Sequence, residues 1–258
     1  MGFRFIDLFA GIGGFRIAFE AAGGKCVFSS EYDKYAQLTY EAFFGEKPDF
    51  AEIKAVDPPG DITQLEPELV PDHDVLVAGF PCQPFSLAGV SKKQSLGRLH
   101  GFDDPTQGTL FFNIKEIIKS KRPSAFVLEN VKNLRSHDRG RTYKVIIDIL
   151  RNELEYEVTD EVLDASEWLP QHRERIFIVG FRNRGIISSK LFPPGPEQFD
   201  FSQPGRFSFL DIMKNRSQPP CLSEILEPEV DAKYIIGPGT WETLQRHKKK
   251  HLEKGQGL

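Results

Sequence analysis

Short apolar runs alternate with stretches of helical periodicity along the first two thirds of the chain. The runs predict buried strands at Phe3–Leu8, Cys26–Ser30, Asp74–Phe80, Ala125–Leu128 and Arg175–Phe181. After the first run, Phe15, Ala18, Phe19 and Ala22 recur at three- and four-residue intervals, as on one face of a helix. This alternation predicts an α/β fold, with a mostly parallel sheet and helices on both faces.

Polar residues stand at or just beyond the ends of these predicted strands. They are Asp7, Glu31, Cys82 and Glu129. Ligands of parallel α/β sheets bind at the carboxyl ends of the strands. The coincidence therefore predicts that these four side chains belong to one site.

The pattern changes once the last predicted strand has ended. Phe192–Pro196 and Pro219–Pro220 bracket a stretch with few periodic positions, and Thr240–Lys254 then predicts a helix with a basic run. We expect one domain over residues 1–185 and a loop-rich extension over residues 186–258.

Composition excludes several classes of protein. The 258 residues contain no run of about 20 apolar residues, so we expect no membrane span. Arg4 and Asp7 interrupt the apolar N-terminus, which argues against a signal peptide and favours a cytoplasmic location. Cys26, Cys82 and Cys221 form no CxxC pair, so neither a disulfide framework nor a metal site is predicted.

A glycine-rich segment, Asp7–Gly14, joins the first predicted strand to the first helix. Glycines there let the backbone approach a ligand closely, and the GxGG spacing differs from the GxGxxG of dinucleotide sites. Glu31 stands where a carboxylate accepts hydrogen bonds from ribose hydroxyls, and Asp61 could accept from an adenine amino group. Together they fit an adenosine-containing ligand. A tight turn and two solvated acids are the alternative.

Cys82 lies in the most informative stretch of the sequence. Pro81 and Pro84 flank it and restrict the backbone on either side. A thiol held stiffly after a strand suits nucleophilic attack. An isolated cysteine is more often a small buried hydrophobe, but the Pro-Cys-Gln-Pro context disfavours that interpretation.

Four motifs in this order resemble the C5-cytosine DNA methyltransferases of restriction–modification type. They are the glycine-rich segment, Pro81-Cys82-Gln83, Glu129-Asn130-Val131 and Gln171–Arg175, and the likeness covers about residues 3–182, including Gly108–Phe112. The resemblance implies a Rossmann-like methyltransferase fold with S-adenosylmethionine as cofactor and double-stranded DNA as substrate. Residues 1–185 would then be the cofactor-binding catalytic domain.

The resemblance also implies catalytic roles. Cys82 would add to C6 of a cytosine flipped out of the helix, and Glu129 would hydrogen-bond or protonate N3. Arg175 would hold the base O2, and Arg173 would support Glu129 or its loop. An ordinary internal ion pair is the alternative for these three residues.

The predicted cofactor site comprises Asp7, Phe9, Ala10, Gly11, Gly13, Gly14, Glu31, Asp61, Pro81 and Leu110. In that site Phe9 would stack on adenine, while Pro81 and Leu110 would line the pocket; plain core packing is the alternative for all three. The basic, glycine-containing segment Ser86–Phe102 predicts a lid that closes over DNA, or else a solvated loop.

The chain also departs from this family. Neither a target-recognition domain nor the two C-terminal motifs of single-chain members is visible, and the net charge of −4 is low for a protein that neutralises many phosphates alone. The sequence resembles the larger, alpha subunit of a split enzyme, so we expect a heterodimer with a second polypeptide. A fragment of a longer protein is the competing interpretation.

Two other functions stay open on the sequence. An RNA cytosine-5 methyltransferase of the tRNA-modifying branch shares the same core. The second alternative is a non-catalytic fragment that only binds the cofactor. The presence of Cys82, Glu129 and Arg175 together argues against this alternative.

Overall fold

A computed structural model describes residues 2–81, 110–183, 228–229, 231 and 236–253. Cys82, the predicted lid Ser86–Phe102 and most of the predicted extension lie outside the described residues. The six strands are β1 (Arg4–Leu8), β2 (Lys25–Ser30), β3 (Val75–Gly79), β4 (Ala125–Val131), β5 (Glu157–Asp164) and β6 (Glu174–Phe181). The α-helices are α1 (Gly14–Ala21), α2 (Lys34–Phe44), α3 (Leu110–Lys121), α4 (Arg141–Asp148) and α5 (Pro238–Glu253).

Shorter helical turns connect these elements. They lie at Ile62–Gln64, Pro67–Leu69, Lys132–Arg135 and Ala165–Glu167, and a wider π-helical turn at Ile149–Glu153 extends α4. At His137–Gly140 the chain kinks, because Asp138 and Arg139 have positive φ.

The strands form one sheet in the order β2-β1-β3-β4-β6-β5. The pairs β1–β2, β1–β3 and β3–β4 are parallel, while β6 runs antiparallel to both β4 and β5. Five strands therefore share one direction, which confirms the prediction of a mostly parallel sheet.

Helices cover both faces of the sheet. Phe5 of β1 contacts Phe19 of α1, with ring centroids 5.4 Å apart. The next residue, Ile6, points to the opposite face because side chains alternate along a strand. That face forms the main core with α3, through residues such as Phe111 and Ile114. The predicted helices on both faces are thus confirmed.

One strand of the sheet was not predicted. β5 carries a charged residue at half of its positions and only Val158 is buried, so it lacks the apolar run by which the others were found. Charged side chains are usual on an edge strand, because they discourage pairing with another sheet.

The C-terminal helix α5 agrees with the predicted helix to within two residues at its start. Its apolar residues Trp241, Leu244 and Leu252 are exposed. No helix in the described part of the chain is both long enough and apolar enough to cross a membrane.

Candidate active site

The segment between β1 and α1 takes a conformation that favours glycine. Phe9, Gly11 and Gly13 all have positive φ, at 56°, 58° and 92°. A Cβ atom on Gly13 would overlap the ring of Phe44 in α2, so only glycine fits there. The N–H of Ala10 donates to the carbonyl of Ser30 at 2.9 Å, which fastens the segment to the end of β2.

Glu31 joins this segment to the start of α2. Its Oε2 accepts a hydrogen bond from the N–H of Gly11 at 2.7 Å, and its Oε1 accepts one from the N–H of Asp33 at 2.7 Å. The structure therefore brings Gly11 and Glu31 together, as their predicted shared role requires. Each carboxylate oxygen keeps acceptor capacity, so ribose hydroxyls could still bind.

Asp61 lies close to Glu31, because Gly60 packs directly against the Glu31 carbonyl. The Asp61 carboxylate caps the turn Ile62–Gln64, accepting hydrogen bonds from the N–H and hydroxyl of Thr63 and from the Gln64 amide. Burial opposes ionisation, but these bonds outweigh it and lower the pKa of Asp61. A local capping role accounts for these contacts, and the adenine contact stays a prediction.

Asp7 is the most unusual side chain of the site. It is completely buried, and neither carboxylate oxygen makes a hydrogen bond of ordinary geometry within the described residues. Burial raises the pKa of Asp7 to about 7, although the main-chain N–H and guanidinium of Arg16 act to lower it. An orphaned buried carboxyl beneath a glycine-rich segment is what a cationic ligand would compensate.

The remaining predicted cofactor residues are less distinctive. Ala10 is buried and Gly14 is the exposed first residue of α1. Phe9 and Leu110 are half-buried against the core, while Pro81 is exposed two residues beyond β3. Their contacts with a cofactor stay predictions.

Glu129 and Arg175 form an ion pair at the carboxyl end of β4, with Nε and Oε1 2.8 Å apart. Glu129 is paired with Gly79 of β3, and a Cβ on that glycine would lie 3.6 Å from the carboxylate. Only 21% of the Glu129 side chain and 23% of the Arg175 side chain are exposed. Burial raises the pKa of Glu129 above its ordinary value, although the charges of Arg175 and Arg173 act to lower it.

The raised pKa of Glu129 makes this carboxyl a candidate proton donor. A carboxyl group with an elevated pKa retains its proton closer to neutral pH and can serve as a general acid. Arg173 is exposed, and its main-chain N–H donates to Asp164 at 2.9 Å. Arg173 acts to lower the Glu129 pKa through its charge.

Two residues of the site were missed by the sequence analysis. The Asn130 amide donates to the carbonyl of Phe80 at 2.8 Å, which ties the end of β4 to the exit of β3. Tyr32 follows Glu31 and is 63% exposed, so its ring is available to a flat ligand. The motif that contains Asn130 was recognised, but only Glu129 was given a role.

Within the described ranges there is no group of three or more His, Cys, Asp or Glu side chains able to hold a metal ion.

Known proteins resemble this chain along most of its length. The family model described as C-5 cytosine-specific DNA methylase matches residues 3–258. The DNA-cytosine methyltransferase of Escherichia coli K12 is 46% identical over an alignment of 279 positions, gaps included, that covers 99% of this chain and 55% of that protein. The type II methyltransferase M.HpaII of Haemophilus parainfluenzae is 43% identical over an alignment of 260 positions that covers 99% of this chain and 62% of that protein. The chain thus spans little more than half the length of these curated relatives.

Solved structures show the same fold at much lower identity. The S. pombe Dnmt2 methyltransferase superposes with a TM-score of 0.63 at 17% identity, over 95% of this chain and 66% of that one. The Spodoptera frugiperda DNMT2 mutant gives a TM-score of 0.61 at 21% identity, over 92% and 63%. The predicted methyltransferase fold is thereby confirmed.

Proposed function

We propose that this chain, which belongs to the C-5 cytosine-specific DNA methylase family, is the catalytic part of a DNA (cytosine-5-)-methyltransferase. The observation that carries the proposal is the half-buried Glu129–Arg175 pair at the carboxyl edge of the sheet, beside the exit of β3 toward Cys82. Several relatives are named type II methyltransferases, so we place the chain in a restriction–modification system.

The C6 atom of cytosine is a poor electrophile until a proton or a hydrogen bond at N3 draws electron density from the ring. The Cys82 thiolate adds to C6 of a flipped cytosine, and Glu129 donates its proton or a hydrogen bond to N3. The electron pair of the C5–C6 double bond then moves toward C5, and Arg175 holds O2. After the C5 electron pair has formed the bond to the methyl group, a base removes the C5 proton, the S–C6 bond breaks as the thiolate leaves, and the C5–C6 double bond forms again. Glu129 takes back any proton that it gave to N3.

S-adenosylmethionine supplies an electrophilic methyl group on a sulfonium when it is bound. Glu31 would accept hydrogen bonds from the ribose hydroxyls, and the glycine-rich segment would pack against the adenosine. The Asp7 carboxylate, buried beneath that segment, would offset the positive charge of the cofactor. The positive φ angles of Gly11 and Gly13 and the unpaired carboxyl of Asp7 support this assignment.

A basic segment supports DNA as the substrate. Residues 132–144 carry five basic residues and one acidic residue, in a chain of net charge −4. The chain leaves β4 at the carboxyl edge and must return to the opposite edge to enter β5, so this segment starts beside the site. Arg139 and Lys144 are exposed and make no ion pair within the described residues. Both are suited to DNA phosphates.

Exposed apolar side chains support a partner for the catalytic part. On α1 and α2, Ile17, Tyr35, Leu38 and Phe43 are 48%, 67%, 60% and 67% exposed. Such a concentration of exposed apolar residues marks a surface that another segment covers. We propose that the covering segment carries the target-recognition and C-terminal motifs, on a second polypeptide.

Transfer of labelled methyl groups from S-adenosylmethionine tests the function. The chain is assayed alone and with a polypeptide that carries target-recognition and C-terminal motifs, on duplex DNA and on tRNA. We expect DNA to be labelled only in the mixture, and Cys82→Ala to abolish both transfer and the covalent adduct with 5-fluorocytosine DNA. Labelling of tRNA instead of DNA would refute the substrate, and full activity of the chain alone would refute the need for a partner.

A further inference from the structure

Asn130 places an amide on the apolar side of β4. It points the same way along the strand as Phe126 and Leu128, which are completely buried, and it is itself 2% exposed. Its Nδ2 donates to the carbonyl oxygen of Phe80 at 2.8 Å, and its Oδ1 accepts from the N–H of Val131 at 2.9 Å. Both ends of the amide are therefore satisfied by main-chain groups where two neighbouring strands end.

The bond to Phe80 continues the pairing of β3 and β4 past the end of β3. Gly79, the last residue of β3, is in register with Glu129. At the next position a side chain replaces the main-chain bond. The chain then enters Pro81, whose ring fixes its own φ and restricts the conformation of Phe80. The direction in which the chain leaves the sheet is thus fixed relative to Glu129.

We propose that Asn130 is a positioning residue for methyl transfer, an inference that rests on the proposed function. Its amide holds the Phe80–Pro81 exit, and the nucleophile Cys82 is the next residue in the sequence. Glu129 projects from the other face of the same strand. One strand thus carries the acid and aligns the segment that bears the thiol, while the amide itself touches no reacting atom.

The amide is needed because the Phe80 carbonyl lies against the core. An apolar residue at position 130 would leave the buried Phe80 carbonyl without its donor, at a cost in free energy, and the part-buried Val131 N–H without its acceptor. An ionised aspartate of nearly the same shape would keep the acceptor for Val131 but lose the donor to Phe80. The two substitutions therefore separate loss of the side chain from loss of one hydrogen bond.

Single-turnover methyl transfer measures the effect in whichever assembly methylates DNA. The variants are Asn130→Asp and Asn130→Ala, and Asn133→Asp is the matched control, since Asn133 is exposed three residues further on. We expect the rate constant of both Asn130 variants to fall by about ten- to a hundredfold, as for a small misplacement of reacting groups. The control should stay within about twofold of the native rate.

The pH dependence identifies the bond. Burial favours the protonated carboxyl in Asn130→Asp, and its O–H can donate to the Phe80 carbonyl. Its rate relative to the native enzyme should therefore rise as the pH falls from about 8 to about 6, whereas the ratio for Asn130→Ala stays flat. A carboxylate at position 130 also acts on the neighbouring Glu129, so the ratio for Asn130→Ala, which adds no charge, is the reference.

The outcomes separate this inference from the proposed function. Unchanged rate constants with a smaller reacting fraction would mean that Asn130 only stabilises the fold, and would overturn the inference. If Asn130→Ala does not fold, a flat pH ratio for Asn130→Asp overturns it equally. A native enzyme that transfers no methyl group to DNA would instead refute the proposed function.

Discussion

Replacement of Asp7 by asparagine removes a buried carboxyl group. The free-energy cost of ionising that carboxyl in the folded protein can be worked out from its pKa. Burial raises the Asp7 pKa from 3.8 to about 7. The folded state therefore binds a proton that the unfolded state releases between these values, so the free energy of unfolding falls as the pH rises across that window. At 1.36 kcal/mol per pKa unit, the loss totals about 4 kcal/mol. Between about pH 5 and about pH 8, the ionisation of Asp7 lowers the free energy of unfolding by about 3 kcal/mol.

Urea unfolding at both pH values is the assay. Asp7→Asn stays neutral throughout, so its stability relative to the native chain should increase by about 3 kcal/mol from the lower to the higher pH. Asp148→Asn changes an exposed aspartate and is the matched control, expected to show no such increase. S-adenosylmethionine carries positive charge, and we expect its affinity to rise with pH only in proteins that keep Asp7. A stability difference that does not change with pH would refute the reasoning.

Three further substitutions test the proposed site and the DNA surface. Glu129→Gln keeps the shape of the side chain but removes its acidic proton, so the single-turnover rate of methyl transfer should fall by roughly 10²-fold or more. A rate within about threefold of native would show that Glu129 is not the acid. Glu31→Ala should weaken S-adenosylmethionine binding by about 1–3 kcal/mol, because ribose and main-chain donors lose their acceptor; calorimetry showing an unchanged dissociation constant would reduce Glu31 to a surface acid. The slope of log affinity for DNA against log salt is negative, and the double change Arg139→Ala with Lys144→Ala should make it less negative by about 2, while Lys25→Ala should leave it unchanged. An unchanged slope in the double variant would mean that DNA does not contact this segment.

The fold was readable from the sequence where apolar pattern and burial coincide. Phe3–Leu8 and Asp74–Phe80 were predicted as strands, and β1 and β3 lie within them. β5 was missed because an edge strand has no continuous apolar run. The domain boundary at residue 185 stays a prediction.

The site was only partly readable, for a different reason. Glu31 could be predicted because it ends a strand, yet its two main-chain contacts come from turns that no local pattern encodes. Asp7 was assigned to the cofactor, but its missing partners became visible only in the packed structure. Asn130 reads in the sequence as a polar residue near a strand end, and only the alternation of β4 shows that it points into the core.

The direction of β6 explains how Arg175 reaches Glu129. The two residues are far apart in sequence, and Arg175 lies at the start of its strand rather than at the end. In a fully parallel sheet, the start of β6 would lie at the amino edge, one strand length away from the carboxylate. Because β6 runs antiparallel to β4, Val131 pairs with Arg175 and the start of β6 reaches the carboxyl edge. Apolar periodicity says nothing of strand direction, so this pairing rested on the family resemblance alone until the topology was known. Because β6 is antiparallel, Arg175 at its start lies at the same edge of the sheet as Glu129 near the end of β4. The Arg175 guanidinium therefore contacts the Glu129 carboxylate from the neighbouring strand, on the same face of the sheet.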